Sequence, residues 1–358
     1  RGRMRFGPVP VDEAEGALLA HSLSAGSLRF AKGHRLDAAD VAAARAAGIV
    51  DLVVARLDPG DVAEDEAAVR IGRAVAGTGI VAGAPVHGRV NLSATADGLL
   101  RCDGAAVAAL NLIDEAVTLG TLPPLSRVRA GEIVATVKII PYAAAETSVT
   151  LAQAAGEGLL SLAPFRPTAV ELIHTMLPGL PDKLIAKTSS VIQARLAPLS
   201  GGIVREARCR HEEAALAAQL VEGSEAGIIL IAAASATVDR RDVVPGAIIA
   251  AGGMVERLGM PVDPGNLLCL GLIGGRIVIG LPGCARSPKR NGIDLVLERL
   301  MAGMVVDGHD IALMGVGGLL ADSNVRPEPR GASARPRSAI DMPALTPALT
   351  DAAQHIAG

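Results

Sequence analysis

The run Gly227-Ile-Ile-Leu-Ile-Ala-Ala-Ala234 constrains this chain more than any other segment. It has no polar face, so it must be buried on every side. As a helix it is too short to cross a bilayer, which takes about 20 apolar residues. A fully buried strand meets both conditions, and such strands belong to parallel sheets covered by helices. Composition agrees with that reading. Hydrophobic residues make up 50% of the 358 but aromatics only 1%, with no Trp and a single Tyr. The core must therefore be built from Ala, Val, Leu and Ile. A ligand would be held by backbone and aliphatic groups, because stacking platforms are almost absent.

The same counts narrow the function classes. Single-strand nucleic-acid binding needs aromatic platforms, and duplex binding needs a basic excess. A net charge of -3 supplies no such excess, so no nucleic-acid partner is expected. Cys102, Cys209, Cys269 and Cys284 lie far apart and form no CxxC pair, which argues against a zinc site or disulfide scaffold. The first residues lack the charged-then-apolar order of a signal peptide. A cytoplasmic protein with no membrane partner is expected. The Ala-rich first half makes a homo-oligomer the expected state.

Four segments follow from the patterning. Residues 1–78 read as an N-terminal α+β accessory segment, with Asp37 capping a helix over 38–47 that Gly48 closes. Residues 79–160 read as a mixed, β-rich accessory domain whose strongest strand is 132–140. In residues 161–321 strands alternate with helical stretches, the mark of an α/β domain with a mostly parallel sheet and helices on both faces. Strands are expected at 168–173, 202–207 and 227–232, with a pair around Gly274-Gly275. Residues 322–358 are rich in Pro and Arg and read as a flexible tail.

Ligands of such sheets bind outside the carboxyl ends of the strands, so the loops there are the candidates. In the first, Thr188-Ser189-Ser190 is expected at a helix start, where hydroxyls and free N–H groups can hold an anion. The second begins at Ser235 and carries Asp239 and Asp242 among arginines, a set suited to a metal or a base. The third is the Pro264-Gly265 turn. The fourth runs Leu281-Pro282-Gly283-Cys284-Ala285-Arg286-Ser287-Pro288-Lys289, a Pro-Gly turn followed by cations, the physical recipe for a phosphate site. No GxGxxG or P-loop occurs, which weakens nucleotide-enzyme readings. Cys284 reads as an inert thiol, since no His shares its motif.

In their order, these loops resemble the molybdopterin-binding domain shared by molybdopterin molybdotransferases and adenylyltransferases. Lys187-Thr-Ser-Ser190 is similar to the family's Asp-Ser-Asn-Ser stretch, and Gly280-Leu-Pro-Gly283 to its Leu-Pro-Gly-Asn-Pro motif. Ala232 to Asp239 stands where the family has a Gly-Gly loop, and Pro261 to Asn266 resembles its Lys-Pro-Gly-Lys-Pro turn. Val11 to Ala20 and Lys32-Gly-His-Arg-Leu36 resemble elements of the accessory region of molybdotransferases. The departures are Ala232-Ala233-Ala234 for paired glycines, Cys284-Ala285 for Asn-Pro, and Asn266 for Lys.

The resemblance implies a three-layer molybdopterin-binding fold and a role in molybdenum cofactor biosynthesis. It implies a pterin site of Thr188, Ser189, Ser190, Ser235, Pro264, Gly265, Pro282, Gly283, Cys284, Arg286, Ser287 and Lys289. Asp239 and Asp242 would be the catalytic carboxylates, with Asp239 next to the metal. Molybdopterin is the expected cofactor, with Mg2+ and molybdate as candidates. Two readings stay open: a molybdotransferase-like enzyme, or a carrier delivering molybdopterin to a molybdoenzyme or a partner cytidylyltransferase.

Overall fold

Ile228–Ala232 is a strand with every residue buried in the computed structural model, which describes residues 4–222 and 225–320. Its place is central in a six-stranded sheet ordered Gly201–Arg210, Thr168–Met176, Ile228–Ala232, Arg276–Gly280, Cys269–Ile273 and Met254–Leu258. The first four strands run parallel and the last two add antiparallel. The protein is thus mixed α/β. The expected pair turns at Gly274 and Gly275, with φ of 53° and 81°, left-handed angles that glycine adopts without a Cβ penalty.

Side chains alternate across a strand, so neighbouring residues feed different clusters. Val170, Leu172 and Leu230 pack with Ile192 and Leu196 of the Asp182–Leu196 helix and Val296 and Leu297 of the Gly292–Met301 helix. Ile173, Ile229 and Ile231 pack instead with Leu216 and Leu220 of Glu213–Glu222 and Ala247 and Ile248 of Val243–Ala250. Burying each such side chain contributes about 1.5–3 kcal/mol.

The preceding residues build smaller sheets. Arg5–Pro10, Asp51–Arg56 and Leu18–Leu19 form one. Val117–Thr121, Ile133–Ile139, Arg89–Ala94 and Ile80–Ala82 form a four-stranded one. Asp37 caps Ala38–Ala46 as expected, in a reciprocal capping box with Asp40, and Gly48 follows at φ 76°. The helix Glu146–Gly156 and the edge strand Met254–Leu258 have no counterpart in the sequence reading. Glu146–Gly156 contains two Thr, a Ser and a Val, all modest helix formers. Burial of Val149 and Ala152 and the Arg70–Glu146 ion pair stabilise it. The tail expected at 322–358 lies outside the described residues. No helix among the described residues is long and apolar enough to cross a membrane.

Candidate functional site

The strand order places a crevice. From Thr168–Met176 the chain goes first to Gly201–Arg210 on one side, then crosses to Ile228–Ala232 on the other. The two crossovers diverge and leave a gap above the carboxyl ends of Thr168–Met176 and Ile228–Ala232, the switch point where open α/β sheets bind ligands. The ends are level: His174 pairs with Ala232, and Ile231 with Gly280. A cavity of about 60 Å³ opens there, lined by Thr188, Ala232 to Ala236, Leu281 to Gly283, Ala285 and Arg286.

The Leu-Pro-Gly loop is held from two directions. Pro282 starts a short 3-10 turn, Gly283–Arg286, whose N–H of Ala285 donates to Pro282 O at 2.9 Å. Arg286 reaches back to donate from Nη2 to Ala233 O at 2.7 Å, which fixes its guanidinium at the end of the central strand. Among the described residues it has no carboxylate partner. From below, buried Arg195 donates to Lys289 O at 2.8 Å, to Ser287 O and to the Asp294 carboxylate. Ser287 and Lys289 therefore give backbone carbonyls to a structural clamp and do not line the crevice. Arg290 is bound by buried Glu298 at 2.6 and 2.8 Å. Burial pushes the Cys284 thiol up, so it stays protonated at neutral pH.

Thr188, Ser189 and Ser190 are not at a helix start, as the sequence suggested. The helix begins at Asp182, more than one and a half turns before Thr188. Thr188 Oγ1 donates to Leu184 O at 2.8 Å and Ser189 Oγ lies 3.1 Å from Ile185 O, the back-bonding of hydroxyls inside a helix. Their backbone N–H groups are not free for an anion. Thr188 still closes one wall of the crevice. Ser189 and Ser190 line a neighbouring open groove of about 380 Å³ with Gln193, Arg205 and Glu206. Pro264 and Gly265 also lie elsewhere. Pro264 O accepts from Gly292 N at 2.8 Å, and a Cβ on Gly265 would meet that nitrogen at 2.7 Å. The turn seats the Gly292–Met301 helix.

Asp239 and Asp242 close their own loop. Asp242 Oδ2 accepts from the N–H groups of Val238 (2.7 Å) and Asp239 (3.1 Å). Asp239 accepts from the N–H and the Nε of Arg241, at 2.9 and 3.0 Å, which together hold its carboxyl below the usual carboxylate range. Neither carboxylate lines the crevice. Among the described residues no group of three or more His, Cys, Asp or Glu is placed to hold a metal ion.

The structure adds residues the sequence did not single out. Buried Thr175 accepts from Ala234 N at 2.9 Å and pairs with Nδ1 of His211 at 2.8 Å, tying the apolar loop to the sheet. Buried His174 places Nε2 3.1 Å from Ser189 Oγ and 3.3 Å from Glu206 Oε1, and Ser189 donates to Glu206 at 2.8 Å. A Ser–His–acid relay needs the serine and the acid on different ring nitrogens. Here one nitrogen meets both, so the cluster orients groups and does not activate Ser189. The only signal in the sequence was a polar residue at the end of an apolar run, which reads as a strand stop.

Burial is the main cause that lowers the pKa of His174, with Glu206 opposing it. An unfolded His titrates near 6.5, so the unfolded state binds more protons below that pH. Stability should therefore fall as pH drops from about 7.5 to about 5.5. His174→Gln should show a smaller fall in urea midpoint over that window. An equal fall in both proteins would rule out this assignment.

Residues 8–56 match a family described as Domain of unknown function (DUF8806). None of the curated proteins matches the chain. Among solved structures it is similar to the molybdopterin biosynthesis MoeA protein from Pyrococcus horikosii. That likeness has 14% identity and a TM-score of 0.29, over 85% of this chain and 77% of that one. It is also similar to a molybdenum cofactor biosynthesis protein from Pyrococcus furiosus, at 13% identity and a TM-score of 0.25, over 84% of this chain and 65% of that one. TM-scores this low do not define a shared fold.

Proposed function

We propose that this chain binds molybdopterin, or its adenylylated form, in molybdenum cofactor biosynthesis, with a ligand phosphate on Arg286 beside Gly283. One observation carries the reading. A guanidinium with no carboxylate partner among the described residues is anchored to Ala233 O at the switch point of the sheet, next to a Pro-Gly turn. An arginine fixed in that way offers paired N–H donors suited to a phosphate. The ordered motifs, Leu281-Pro282-Gly283 above all, support the choice of ligand class.

The cavity tests the fit. At about 60 Å³ it takes a phosphate end, whereas a drug-sized ligand needs about 300 Å³ or more. The rest of the molecule would lie along the open groove, with Ser189, Ser190 and Gln193 offering hydrogen bonds to its polar ring edge. Bound there, molybdopterin supplies a dithiolene for a metal. The chain's own residues hold the phosphate, orient the ring and exclude water over Ala232 to Ala234. Mg2+ and molybdate fit less well, because Asp239 and Asp242 already accept from Arg241 and from loop N–H groups.

That engagement of Asp239 favours the carrier reading over a molybdotransferase. The test is mass spectrometry of ligand released from native protein made in cells that synthesise molybdopterin. A pterin phosphate at near-stoichiometric yield is expected. Protein free of any pterin, and failing to take up added molybdopterin, would sink the reading.

A further inference from the structure

The first half of the chain contains a cavity that the crevice reading leaves unused. It measures about 360 Å³ and is walled by Lys32 and Gly33 on one side and by Glu64, His87, Lys138 and Tyr142 on the other. That volume is within the range of small-molecule sites. We propose that it binds a small phosphorylated molecule through the ammonium groups of Lys32 and Lys138, independently of the switch-point crevice.

Its polar groups are held in place before any ligand arrives. Lys138 Nζ donates to His87 O at 2.5 Å and lies 3.6 Å from Glu64 Oε2, so its ammonium cannot swing away. The Glu64 carboxylate lies against Gly88, where a Cβ would meet its Oε2 at 2.5 Å, so only glycine leaves room for it there. Tyr142 donates its hydroxyl to Ala20 O at 2.9 Å, which fixes the ring as a wall. Lys32 Nζ sits 5.7 Å from the centroid of that ring and has no carboxylate partner among the described residues. His87 precedes Gly88 in the left-handed region, with φ of 49° and 69°. For a non-glycine residue that conformation carries strain, which concentrates at ligand sites.

The charge balance selects the ligand class. Glu64 offsets one ammonium and leaves the other, with an exposed imidazole beside it. Lysines act as point charges, a mode of binding well suited to a phosphate, and the two ammonium groups exceed the one carboxylate in the lining.

The chain carries its own reporter. Tyr142 is the single tyrosine and there is no Trp, so tyrosine emission reads this cavity alone. The full chain is titrated with inorganic phosphate and pyrophosphate, with potassium chloride at matched ionic strength as control. A saturable change in emission specific to the phosphates is expected. Calorimetry should show Kd weakened about tenfold or more in Lys32→Ala and in Lys138→Ala, about 1.4 kcal/mol each. Lys32 is exposed, so its variant also answers the question if Lys138→Ala fails to fold. A response equal to that of potassium chloride would overturn the proposal. So would acetate binding as tightly as phosphate, or full affinity in Lys32→Ala.

Discussion

Arg195→Met should lower folding stability by about 3–5 kcal/mol, the usual cost of leaving a buried charge without its partner. The guanidinium is buried under the Leu-Pro-Gly loop, where it meets Asp294 and the carbonyls of Ser287 and Lys289. Methionine fills the volume but leaves Asp294 with only its capping role toward Asn291 N at 2.7 Å. Urea unfolding is the measurement. The double variant Arg195→Met/Asp294→Asn should recover part of the loss, because the stranded charge is then gone. A single-variant loss under about 1 kcal/mol, the range of exposed ion pairs, would show that the clamp is not buried in solution.

Arg286→Ala should weaken molybdopterin binding by roughly ten- to a hundredfold, since a hydrogen bond to a charged group contributes about 1.5–3 kcal/mol. The fold should survive, because among the described residues Arg286 gives one hydrogen bond, to Ala233 O. Arg286→Lys should fall between, retaining the charge but losing the planar fork. Pterin fluorescence during titration gives Kd, and a thermal melt checks folding. Unchanged affinity in a folded Arg286→Ala would remove this residue from the site.

The two predictions separate the parts of one loop. Arg195 sets where the loop stands, and Arg286 is what the loop presents. In the sequence Arg286 and Lys289 looked alike, as cations after a Pro-Gly turn. In the fold only Arg286 points into the crevice, while Lys289 contributes a carbonyl to Arg195. Residue type is legible in a sequence, but the direction of a side chain depends on the turn that carries it. Thr188, Ser189 and Ser190 make the same point. Their type suggested a helix start, yet Asp182 opens the helix and turns all three into mid-helix hydroxyls.

Features whose causes lie within a few residues could be read from the chain directly. The buried strand at Ile228–Ala232, the Gly274-Gly275 hairpin and the Asp37 cap are of this kind. Each rests on hydrophobic run, backbone freedom or local hydrogen bonding, which need no distant partner. Strand order needed the tertiary structure. It brings Ala233 and Arg286 within hydrogen-bond reach across 53 positions, and Arg195 beside Asp294 across 99. It also places His174 against Glu206, although in the sequence His174 reads as a strand stop and Glu206 as an ordinary strand residue. Such meetings depend on which edge of a strand the next one joins, a choice made by packing whole elements together. The sequence by itself therefore determined the elements whose causes are local, and the tertiary structure decided which side chains at their ends meet.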